Sequence, residues 1–94
     1  MNDFLYKNGD LYCEELRVAD IAEKVGTPFY LYSGNTFTSH FKAVDEAFGD
    51  IEHLICFSVK ANSNLAILRM MASQGAGADV VSGGELYRAL KAGV

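Results

Sequence analysis

The chain has 94 residues, half of them apolar, enough for one small core and far short of the roughly 250 residues of a complete (β/α)8 barrel. A formal charge of −4 and a pI near 4.9, with no cluster of Lys and Arg, exclude a nucleic-acid or anionic-membrane surface. Met1-Asn2-Asp3 opens no signal-like segment, no apolar run approaches the ~20 residues of a membrane span, and Cys13 and Cys56 lie too far apart for a disulfide framework or a zinc pattern, so a soluble, cytoplasmic, metal-free protein is expected.

In chain order, Phe4-Leu5-Tyr6 and Leu11-Tyr12-Cys13 flank Lys7-Asn8-Gly9-Asp10, whose Asn-Gly pair predicts a hairpin turn. A two-stranded hairpin is marginal in water, so further partners are expected from elsewhere. Leu16, Ala19, Ala22 and Val25, with Ile21 beside them, make a helical stripe ending at Gly26. Thr27-Pro28 stops that helix, and Phe29 to Tyr32 reads as a strand. From an N-cap at Ser33 or Asn35 a second helix is predicted to run to Phe48 and stop at Gly49, with Phe37, Phe41, Val44 and Phe48 as its packing face. His40 and His53 have no partner at ligand spacing and read as structural or exposed.

The run His53 to Val59, bounded by Asp50 and Asn62, is too short for a typical helix and reads as a buried strand. Alternation puts Ile55, Phe57 and Val59 on one face and Leu54, Cys56, Ser58 and Lys60 on the other, with Lys60 at the C-terminal mouth. Asn62-Ser63-Asn64 then caps a helix carrying Leu65, Leu68, Met71 and Ala72 up to Gly75. Ala78 to Val81 reads as a second strand, Ser82-Gly83-Gly84 as a tight turn, and Glu85 to Ala92 as a further helix with Leu86 and Leu90 inward. This β-α-β-α order predicts parallel strands with helices outside, and in barrels of that kind the strand C-terminal ends carry the chemistry.

Lys60 holds that place on the first strand, and Asp79 to Glu85 surround it on the second. A lysine drawn into a strand-end pocket loses ammonium stability by desolvation, which frees its amine to attack a carbonyl and form a Schiff base. A carboxylate such as Asp79 on a neighbouring strand pulls the other way and can position the amine or shuttle its proton. On residue pattern alone, a lysine that merely reaches solvent from a strand end is the commoner arrangement, and Glu85 reads equally well as a helix-start acid favoured by the dipole.

Phe57-Ser58-Val59-Lys60-Ala61-Asn62-Ser63-Asn64, then Gly77-Ala78-Asp79-Val80-Val81-Ser82-Gly83-Gly84-Glu85-Leu86 and Ala89-Leu90-Lys91-Ala92-Gly93, resemble the diaminopimelate decarboxylase family of fold-type III pyridoxal-phosphate enzymes. Gly26-Thr27-Pro28-Phe29-Tyr30-Leu31-Tyr32 resembles the same family's approach to its barrel. The resemblance implies an α/β fold: the first two β/α units of a pyridoxal-phosphate-binding (β/α)8 barrel, with residues 34–94 as its first part and residues 1–33 contributing to a β-domain and to the barrel approach. It implies an N-terminal fragment of an enzyme that decarboxylates meso-2,6-diaminopimelate to L-lysine and CO2, homodimeric when full length.

By the same resemblance Lys60 is the catalytic Schiff-base lysine that binds pyridoxal 5'-phosphate, and Asp79 and Glu85 are acids beside the cofactor. Loops later in the barrel hold the phosphate, which leaves Ser82-Gly83-Gly84 as turn chemistry. Alternatives are an ornithine or arginine decarboxylase, an alanine-racemase-like enzyme, or a non-catalytic remnant. Asn62-Ser63-Asn64-Leu65 lacks the Tyr-Gly-His run of a racemase, and Ser82-Gly83-Gly84-Glu85 favours the diaminopimelate type over the ornithine type. Made alone, the 94 residues are expected neither to decarboxylate nor to hold the cofactor tightly.

Overall fold

The structure is a computed structural model that describes residues 2–94; Met1, which opens the expected 1–33 segment, lies outside the described residues. The chain forms two compact units, one up to Ser39 and one from His40 onward.

In the first unit β1 (Phe4–Lys7) and β2 (Asp10–Cys13) pair antiparallel, Phe4 opposite Cys13 and Lys7 opposite Asp10. The turn between them has Asn8 at φ 51° and Gly9 at φ 85°, the two left-handed residues that a two-residue hairpin loop demands. A third strand, β3 (Leu16–Arg17), pairs with β2 through Cys13 and Leu16, so the hairpin finds one further partner within its own segment. Leu16 is therefore not part of the helix stripe, because the ladder to Cys13 takes it first. Helix α1 (Val18–Val25) starts two residues later, and none of its residues is fully buried. Arg17 ties the two elements, with Nη2 2.7 Å from Asp20 Oδ1 and Nη1 3.5 Å from Asp10 Oδ1. Its hydrogen bond holds the Asp20 carboxyl below the usual carboxylate range.

The helix stops at Gly26, φ 79°. Phe29 to Tyr32 is not a strand: no strand among the described residues pairs with it, and Tyr30 is 89% exposed. Extended backbone becomes a strand only when a neighbour takes its N–H and C=O groups.

Helix α2 (Gly34–Phe48) begins in this unit. Of the two expected caps Ser33 is the one used: its buried Oγ accepts from the Thr36 N–H at 3.2 Å and donates to Glu14 Oε2 at 2.7 Å. Glu14, at φ 56° in the β2–β3 turn, also accepts from the Asn35 N–H at 3.2 Å, and Asp3 accepts from the Thr36 hydroxyl at 2.8 Å. Two carboxylates thus sit at the positive end of a helix dipole. Towards its other end α2 buries Phe41, while Val44 and Phe48 of the expected packing face are nearly half exposed.

The second unit has the expected β-α-β-α order: β4 (Cys56–Ser58), α3 (Leu65–Ser73), β5 (Gly77–Asp79) and α4 (Gly83–Ala92). The two strands are parallel, with Cys56 opposite Gly77, Phe57 opposite Ala78 and Ser58 opposite Asp79. Both are shorter than the sequence suggests, since pairing stops where either backbone turns away; residues 53–55 and 80–81 lie outside the ladder. Val59, Leu68 and Ala92 form the core, with Phe57, Leu65, Ala78 and Val80 packed on it. That is the bulky face of β4 meeting its helices, as alternation predicts. On the other face Cys56 lies against Gly77, where an added Cβ would come within 2.9 Å of Sγ.

Gly83 and Gly84 are the first residues of α4 rather than a turn before it. Their low helix propensity is overridden by a reciprocal cap: Ser82 Oγ accepts from the Glu85 N–H at 3.1 Å, and Glu85 Oε1 accepts from the Val81 N–H at 3.0 Å. Ahead of β4, His53 stacks on Phe48 at 4.8 Å, with Nε2 2.6 Å from Asp45 Oδ1 and Nδ1 2.5 Å from the Ile51 carbonyl. Its role is structural, one of the two readings its spacing left open. Among the described residues no helix is long and apolar enough to cross a membrane, and no group of His, Cys, Asp and Glu could hold a metal ion.

Candidate active site at the ends of β4 and β5

Lys60 does not continue the alternation of β4. Residues Val59–Ala61 form a single 3-10 turn at the strand's C-terminal end, so Lys60 lies past the last residue of the strand on a tight bend. The reason lies in its neighbours. Val59 is completely buried in the core, the Asn62 N–H closes the turn on the Val59 carbonyl at 3.1 Å, and Lys60 between them is turned outward and exposed.

The loop that follows is well held. Asn62 Oδ1 accepts from the Asn64 N–H at 3.1 Å, Asn64 Oδ1 caps α3 by accepting from the Ala66 N–H at 2.9 Å, and Arg88 Nε of α4 donates to the Ser63 carbonyl at 2.8 Å. An exposed amine thus stands beside a loop held by hydrogen bonds. This suits a group that must reach a carbonyl carbon from a defined origin.

Asp79 ends β5 directly across from Ser58, two residues before Lys60, and its Oδ2 accepts from the Ser58 hydroxyl at 2.9 Å. The strand ends therefore bring Lys60 and Asp79 to the same edge of the parallel pair. Among the described residues no ion pair joins Lys60 to a carboxylate. Glu85 lies one turn into α4 with one carboxylate oxygen committed to the Val81 N–H, as a helix-start acid does. A cleft of about 610 Å³ in the first unit, lined by residues such as Asp3, Cys13, Glu14 and Tyr32, includes none of these three. The sequence pattern by itself does not show the Ser58 bond. Its signal in the sequence was the period-two offset from Lys60, which becomes informative only once the register with Asp79 is known.

A family model described as "Pyridoxal-dependent decarboxylase, pyridoxal binding domain" matches residues 34–94, which include β4, β5 and Lys60. The chain belongs to this family. It is 52% identical over 93 residues to the diaminopimelate decarboxylase of Haemophilus influenzae and 49% identical over 94 residues to that of Vibrio cholerae, in each case covering 99% of this chain and 22% of the relative. Among solved structures, one from Aquifex aeolicus superposes with a TM-score of 0.91 at 44% identity, covering 98% of this chain and 23% of that one. The diaminopimelate decarboxylase of M. jannaschii in co-complex with L-lysine superposes with a TM-score of 0.87 at 35% identity, covering 100% of this chain and 24% of that one. The chain thus spans under a quarter of the length of the relatives it matches, and its two β/α units are part of their barrel fold.

Proposed function

We propose that this chain is the lysine-bearing part of a pyridoxal-phosphate-dependent decarboxylase that converts meso-2,6-diaminopimelate to L-lysine and CO2. The observation that carries the reading is the placement of Lys60, an exposed amine on a core-anchored turn where β4 ends, with the Asp79 carboxylate at the matching end of β5. The resemblance of the surrounding sequence to enzymes named for that substrate supports it.

The residues present fit the cofactor at its aldehyde end. Lys60 offers an exposed primary amine on a flexible side chain, and the Asp79 carboxylate lies at the matching strand end. Bound there, pyridoxal phosphate supplies an electron sink for the carbon that loses its carboxylate. Lys60 would hold the cofactor through its amine, and its Nζ would be placed to move a proton at the reacting centre. Asp79 places a negative charge at the strand edge that attracts and orients cationic nitrogen, whether of Lys60 or of the substrate. Glu85 is a weaker member of the set: with one oxygen held by the cap, its part is to fix the start of α4 beside the strand end.

The reading extends to residues 1–33 as a contribution to a β-domain and the barrel approach, to residues 34–94 as the opening of the barrel, and to a homodimer of the full-length protein. Borohydride reduction of the full-length, cofactor-loaded protein followed by peptide mapping tests it. The pyridoxyl group is expected on Lys60, and CO2 release with diaminopimelate but not with ornithine or arginine. Labelling at Lys42 or Lys91 in place of Lys60 overturns the assignment.

A further inference from the structure

We propose that Ser58 is a positioning residue for this reaction, its hydroxyl fixing the carboxylate of Asp79 at the strand edge that carries Lys60. The inference rests on the reading of Lys60 and Asp79 given above. Three observations support it.

The first is register. Ser58 and Asp79 are direct cross-strand partners at the last paired position of β4 and β5, so the two side chains leave the sheet side by side on one face. The second is where the hydroxyl goes. Ser58 is the N-cap residue of the 3-10 turn that carries Lys60, a place where a serine oxygen commonly bonds into its own turn. Here the side chain makes no cap bond and donates to Asp79 Oδ2 at 2.9 Å instead. The third is exclusivity. Among the described residues Ser58 is the one hydrogen-bond donor to the Asp79 carboxylate, and no cation lies within ion-pair distance of it.

An exposed aspartate can rotate about two side-chain bonds and spread its charge over many directions. A hydrogen bond to one oxygen selects one of them and leaves Oδ1 free to meet an incoming cationic nitrogen. The same residue that starts the lysine's turn thereby also directs the carboxylate on the neighbouring strand.

The test is a double-mutant cycle in the full-length, cofactor-loaded protein, reading kcat, KM and the cofactor's absorbance. Ser58→Ala is expected to lower kcat about tenfold, the scale of one hydrogen bond to a charged group, with KM changed little and the cofactor still bound. Ser58→Thr keeps the hydroxyl and should restore most of the rate, which a purely structural role would not require. In an Asp79→Ala background, which removes the acceptor, Ser58→Ala should have little further effect. If the alanine protein does not fold, Ser58→Cys serves as the second deletion, since a thiol is a weak donor. Full activity in Ser58→Ala, a threonine variant as impaired as alanine while folded, or additive effects with Asp79→Ala each overturn the proposal. Borohydride mapping of the wild type separates the two claims: label away from Lys60 removes the lysine reading, whereas label on Lys60 with an additive cycle removes only the role of Ser58.

Discussion

The two strand-to-helix junctions of the second unit lie at the same end of one parallel pair and are built differently. Between β4 and α3 the chain spends a 3-10 turn and a polar loop, buries Val59 completely, and leaves Lys60 free outside. Between β5 and α4 it closes quickly, through Ser82 and Glu85 bonding across the first turn of the helix. In the first junction the side chain proposed to react is the one the backbone bonds pass by; in the second the acidic side chain is itself consumed by the cap. On that proposal reactivity and stability fall to different residues a few positions apart, and mutation can separate them.

The largest separation is expected from comparing Lys60→Ala with Leu68→Ala in the full-length protein. Lys60 is exposed and makes no ion pair among the described residues, so its loss should cost about a thousandfold or more in turnover with no measurable change in the urea midpoint. Leu68 is 2% exposed beneath the same junction, and removing it should cost about 3 kcal/mol of stability while the protein that remains folded turns over nearly normally. Equal loss of stability in both variants would erase the distinction between the turn and its foundation.

A smaller effect separates the two caps. Ser82→Ala should cost about 1 kcal/mol, and Asn64→Ala about the same, because each removes one acceptor for a helix N–H. The difference between them should appear in turnover, since Asn64 belongs to the loop that carries Lys60 and Ser82 to the closed junction. Equal rates in the two variants, measured at saturating cofactor, would mean that the loop's shape does not matter to the lysine.

The smallest effect is pH dependence at the approach to β4. Both ring nitrogens of His53 face acceptors, the Ile51 carbonyl first and then the Asp45 carboxylate, and together they raise its pKa above the ordinary 6.5 against the opposing effect of desolvation. Among the described residues Asp45 is the one charge ion-paired with the ring; Asp50 and Glu52, close to His53 in the chain, are exposed. A group whose folded pKa is raised adds stability that is fully present below its unfolded value and fades as pH rises through the folded value. The wild type should therefore lose a small increment of stability relative to His53→Gln between the mid-sixes and the raised pKa. An NMR titration giving a His53 pKa at or below 6.5 would contradict the geometry.

Much of the fold is legible in the sequence because its signals are local. Asn8-Gly9 specifies the hairpin, Ser33 or Asn35 the start of α2, the loop Asn62-Ser63-Asn64 the start of α3, and alternation in the apolar run places Phe57 and Val59 on the helix side, the structure then choosing Ser33 and Asn64 as the caps. What escapes is whatever depends on a partner. Leu16 follows β2 into a ladder, Phe29 to Tyr32 finds no neighbour, and the apolar run to Val59 gives no sign that pairing ends at Ser58. Gly83 and Gly84 look like a turn until Glu85 is seen to reach back. For the site, the residue types were readable, but the direction of Lys60 depends on the burial of Val59, and the tie from Ser58 to Asp79 depends on register. Neither exists in one dimension.

The close approach at Gly77 links two positions that sequence alone leaves independent. With Cys56 Sγ 2.9 Å from where a Cβ would stand, and Leu54 Cδ2 at 3.5 Å behind it, a side chain at 77 needs space that a residue on the other strand must give up. Volume at positions 56 and 77 is therefore a shared quantity, and substitutions at the two sites should be accepted in pairs: alanine at 77 where 56 shrinks, cysteine or larger at 56 only where 77 stays bare. Because this pair sits two rungs below Ser58 and Asp79 on the same face, it sets the spacing from which the upper rungs begin. A laboratory lineage that drifts at one of these positions is constrained at the other before any change in the reacting groups comes under selection.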